Sequence, residues 1–70
     1  MIKVNVRTWY LDVKWTIEEW KGFRNSDLCE RRNDRDNADA VIERLENMLD
    51  RLISTGEVSE TDFAWYISLL

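Results

Sequence analysis

The chain of 70 residues has no histidine, no proline, one cysteine and two glycines. Without histidine there is no imidazole to act as general base or metal ligand near neutral pH. With Cys29 as the only thiol, an internal disulfide is impossible and a structural zinc site lacks ligands. No Gly-x-Ser-x-Gly, phosphate-binding glycine loop or dinucleotide fingerprint occurs. The chain is therefore read as a non-enzymatic protein with no cofactor and no metal. The absence of proline and the apolar fraction of 44% argue for a folded chain. No uninterrupted apolar run approaches a membrane span, and the charged first twenty residues do not form a secretory signal, so a cytoplasmic protein without membrane contact is expected.

Seventy residues suffice for one small domain spanning 1–70. A core of that size supplies roughly 3–5 kcal/mol, which makes self-association, most simply a homodimer, an expected source of further stability. The net charge of −4 is unevenly placed. Residues 1–24 hold five cations against three carboxylates, a balance of +2, and the remainder holds five arginines against eleven carboxylates, a balance of −6. Direct binding to a phosphate backbone is not expected from such a chain. Arg31, Arg32 and Arg35 form the one arginine cluster, and Glu30, Asp34 and Asp36 are interleaved with it.

The strongest pattern lies in 37–53. Ala38, Val41, Ile42, Leu45, Met48, Leu49, Leu52 and Ile53 recur every three or four positions, the stripe of an amphipathic helix. At about 100 degrees per residue, Glu43, Glu46 and Asp50 fall within about 40 degrees of Asp39 on the opposite side. They form either a solvated helix face or an acidic strip for a basic partner.

From Ile2 the apolar residues alternate, first as Ile2, Val4, Val6, then with shifted parity as Trp9, Leu11, Val13, Trp15. Period two predicts a half-buried strand, with a bulge near 7–9 or a hairpin there to reconcile the parity. Such a strand needs a partner, and the chain offers few, so it pairs with a weak strand in 21–29 or with a second subunit. Thr16 followed by Glu19 has capping-box spacing and predicts a short helix over 17–24. The charged stretch 30–37 is expected to be a mobile loop or a fraying helix extension. An aspartate run from Asp34 loses calcium-loop register at once, because the sixth position is Asp39 and the twelfth Leu45. Cys29, beside Leu28, is read as a small buried hydrophobe.

Gly56 is placed to end the long helix in a left-handed conformation. Ser59 with Asp62 predicts the next N-cap, and Val58 with Phe63 a hydrophobic staple, opening a final helix over 60–69. The expected fold is thus α+β: an N-terminal bulged strand or hairpin, a short helix and a C-terminal helical hairpin, with an all-α dimer as the alternative. Among the aromatics, Tyr10 on the polar face of the strand and Trp65 on the far side of the last helix are the candidate partner-binding residues, together with the four ridge carboxylates.

The expected function follows from these surfaces. A small acidic inhibitor or regulator would use its ridge as a nucleic-acid mimic, covering a basic surface of a partner protein. A structural homo-oligomer or scaffold protein is the alternative. No family motif matches, although short acidic chains of this kind are similar in class to small accessory proteins of viruses and mobile elements.

Overall fold

The computed structural model describes residues 1–26 and 32–70, and side chains for 1–26 and 34–70. The chain is mostly helical with a small two-stranded antiparallel sheet: β1 (Ile2–Lys3), α1 (Val6–Arg24), α2 (Arg32–Thr55), β2 (Glu57–Val58) and α3 (Glu60–Leu69). Cys29 and Leu28, and with them the expected buried thiol, lie outside the described residues.

The long N-terminal strand is the main correction. Only Ile2–Lys3 is extended, and Trp9, Tyr10, Leu11, Val13 and Trp15 all lie on one helix of 19 residues. Asn5 starts it, with extended backbone and a side-chain oxygen that accepts from the Thr8 amide at 3.0 Å. From there Trp9, Val13, Ile17 and Trp20 follow at helical spacing on the core side. Leu11 and Trp15, which completed the strand-like parity, point outward. Neither a bulge nor a hairpin is present at 7–9. Thr16 is not an N-cap either: it is buried at mid-helix and its hydroxyl donates to the Asp12 carbonyl at 2.9 Å, the back-bonding that satisfies a hydroxyl inside a helix.

The strand shortage is resolved within the chain. β1 pairs with β2, Ile2 opposite Val58 and Lys3 opposite Glu57, so the N-terminus is tied to the link between α2 and α3. That link follows its sequence signals. Gly56 has φ 72 and donates its amide to the Leu52 carbonyl at 2.8 Å, closing α2. Ser59 accepts from the Asp62 amide at 3.1 Å, Val58 is buried, and Phe63 is half-buried against the same core.

α1 and α2 run antiparallel, because Arg24 reaches Asp39, Lys21 reaches Glu46, and Val6 lies against Gly56 at the other end. Between them, Val13 and Ile17 meet Ile42, Leu45, Met48 and Leu52. α3 closes the core with Tyr66, whose ring centroid is 5.4 Å from that of Trp9, while Phe63 lies 5.2 Å from the same indole. Leu45, Leu52, Val13 and Val58 are the fully buried anchors, each contributing about 1.5–3 kcal/mol. Segment 32–37, expected to be loop or helix extension, is the first part of α2.

Candidate protein-binding surface

The stripe that buries Leu45 and Leu52 turns the opposite side of α2 to solvent, and Asp39, Glu43, Glu46 and Asp50 are all exposed there. They form two rows. Asp39 and Glu46, seven residues apart, lean toward α1: Asp39 accepts from Arg24 Nε, and Glu46 Oε1 lies 3.8 Å from Lys21 Nζ. Both pairs are solvent-exposed, so each contributes about 0–1 kcal/mol. Glu43 and Asp50, again seven apart, have no ion pair among the described residues. The ridge therefore divides into a half neutralised by α1 and a half open to solvent.

The flank beyond the ridge is built differently. Arg44 donates to Asp62 Oδ1 from Nη2 at 3.1 Å and from Nε at 3.3 Å, while its guanidinium carbon lies 4.3 Å from the Trp65 ring centroid. One cation thus joins α2 to α3 through an ion pair and a cation–π contact. Trp65 is half-buried beneath it. Tyr10 is also half-buried, packed against the core on α1 with Lys14 Nζ 5.6 Å from its ring centroid. Neither aromatic is an open surface.

The most exposed aromatic among the described residues is Trp15, 65% accessible, one turn from Leu11 at 57%. Sequence reasoning missed this pair because strand parity placed it inward; the helical spacing of Trp9, Val13, Ile17 and Trp20 was the signal that would have turned it out. Farther along α1, Glu19, Trp20 and Phe23 line an open cleft of ≈ 240 Å³, with the two rings edge to face at 5.9 Å.

Inside the domain, one polar contact joins α1 to α3. Because the Thr16 hydroxyl proton is directed to the Asp12 carbonyl, the Tyr66 phenol is the donor in their 2.9 Å hydrogen bond. Burial pushes the Tyr66 phenol above its ordinary value of 10.0, and the Asp12 and Glu19 carboxylates add to that rise. Among the described residues, no three of His, Cys, Asp and Glu converge as a metal-holding group, and no helix is long and apolar enough to cross a membrane.

Comparison with protein-family models, with curated proteins and with solved structures gave no match.

Proposed function

We propose that this chain is a non-enzymatic protein-binding module, a small acidic cytoplasmic regulator that covers a basic, nucleic-acid-binding surface of a partner protein. The observation that carries this reading is the open acidic side of α2, where Glu43 and Asp50 face solvent without a cation among the described residues. From Asp39 to Asp50 the helix rises about 16 Å, which spaces four carboxylates roughly 5 Å apart along its axis. One nucleic-acid strand carries a charge about every 3.4 Å, so the ridge presents the same sign of charge along a rigid rod at a lower density. Lys21 and Arg24 lower its net charge on one side and turn the reading toward Glu43 and Asp50 as the groups that meet the partner.

The test immobilises the full chain, passes host-cell lysate over it at low salt, and compares it with the Glu43→Lys/Asp50→Lys variant. A captured nucleic-acid-binding protein, released by salt, displaced by duplex DNA or RNA and lost from the double variant, is the expected result. Equal capture by the variant, with its helical circular dichroism intact, would remove the ridge from the binding mode.

A second reading is a structural protein that associates with itself. The outward placement of Trp15 and Leu11 favours it, because large apolar groups gathered on a monomer surface mark interaction sites.

A further inference from the structure

We propose that the outward side of α1 is a dimer seam, on which a second copy of this chain packs antiparallel with Leu11 of each helix against Trp15 of the other; the inference rests on the self-associating reading and gives it an interface.

Three observations converge. Leu11 and Trp15 are the exposed apolar residues at the middle of α1, on the side opposite buried Val13 and Ile17, so no described residue covers them. Arg7 lies one turn before Leu11 and Glu18 one turn after Trp15, on that same outward side. Both are exposed and neither has an ion pair among the described residues.

The spacing is self-complementary. In an antiparallel pair related by a two-fold axis, residues face each other when their numbers add to a constant, and each contact occurs twice. The sum that sets Leu11 against Trp15 is 26, and the pair Arg7 and Glu18 sums to 25, within one residue of the same register. An apolar centre is thus bordered at each end by an arginine of one copy and a glutamate of the other. The other long exposed face cannot accept a second copy so well, because the ridge of α2 would oppose carboxylates to carboxylates.

A seam of about three helical turns is at the low end of specific interfaces, so the dimer is a weak and reversible one.

Sedimentation equilibrium of the full chain, from low micromolar to millimolar concentration, tests it. The wild type forms a reversible dimer. Trp15→Ala, Arg7→Glu and Glu18→Arg each raise the dissociation constant by about 10-fold or more, while Arg7→Glu/Glu18→Arg together restore it to within about 3-fold of wild type. Because all three positions are exposed, helical circular dichroism is retained in every variant. A chain that stays monomeric to millimolar concentration overturns both this seam and the self-associating reading. A dimer that is indifferent to Trp15→Ala, or that the charge swap fails to restore, overturns the seam and leaves self-association standing.

Discussion

α1 and α2 are both long helices against the same core, and their outer sides differ in kind. Along its middle α2 turns mainly charged and polar residues outward, with Ile53 exposed near its end, and half of its carboxylate ridge is already met by cations of α1. α1 turns out Leu11 and Trp15 while burying Val13 and Ile17 on its other side. The contrast separates two reasons for a residue to be apolar. On α2 the apolar residues at 38, 42, 45, 48 and 52 are accounted for by the monomer core, whereas at 11 and 15 the monomer gives no account.

The largest effect that could break this contrast is on stability. Leu45 is 0% exposed, and truncating it to alanine removes methylenes from the centre of the α1–α2 contact. Leu45→Ala should cost about 3 kcal/mol, comparable to the whole stability of a domain this small. Leu11→Ala should stay within about 0.5 kcal/mol at concentrations where the chain is monomeric. Urea unfolding of both variants by circular dichroism measures the difference. A loss at Leu11 as large as at Leu45 would mean that α1 has no free outer side.

A middle-sized effect tests how α3 is held to α1. Thr16→Val leaves the Tyr66 phenol buried without an acceptor and should cost about 2 kcal/mol, whereas Tyr66→Phe removes the donor as well and should cost about 1 kcal/mol. The pH dependence has a definite sign. A phenol whose folded pKa is raised binds its proton more tightly in the native state than in the unfolded one. Its contribution is therefore complete below pH 10.0 and lost as pH rises from there through the raised folded value. Stability of the wild type should fall with that extra slope in alkali, and Tyr66→Phe should flatten it. Denaturant midpoints collected across alkaline pH decide the point.

The same two helices show which parts of the fold were legible. α2 was readable because its apolar and charged residues segregate cleanly, and the turn into α3 was readable because Gly56, Ser59 and Asp62 each act through local backbone chemistry. α1 was not. Buried Trp9 and Val13 and outward Leu11 and Trp15 together produce an alternation of period two, the signature of a strand, although the helix period was present in Trp9, Val13, Ile17 and Trp20. Asn5 as its N-cap was hidden by the same parity. The acidic ridge was legible as four positions on one side of a helix. Its division was not, because Lys21 and Arg24 come to Asp39 and Glu46 only through the antiparallel packing of two helices, and a chain read as a strand up to residue 15 gives no such juxtaposition.

The smallest expected effect uses the glycines, one at each end of the comparison. At Gly56, which closes α2, φ is 72 and an added Cβ would meet Val6 Cγ2 at 3.5 Å; the contact is ordinary but the backbone conformation is not, so Gly56→Ala should destabilise by about 1 kcal/mol. Gly22 is inside α1 with helical backbone, and an added Cβ meets nothing within 4 Å. Gly22→Ala should therefore stabilise the monomer by about 0.5–1 kcal/mol, because alanine has less conformational freedom to lose than glycine. Gly22 lies on the outward side with Leu11, which gives the substitution a second use. Measured at low and at high protein concentration, the gain stays constant if that end of α1 remains open to solvent, and shrinks at high concentration if a second copy's backbone closes over the position.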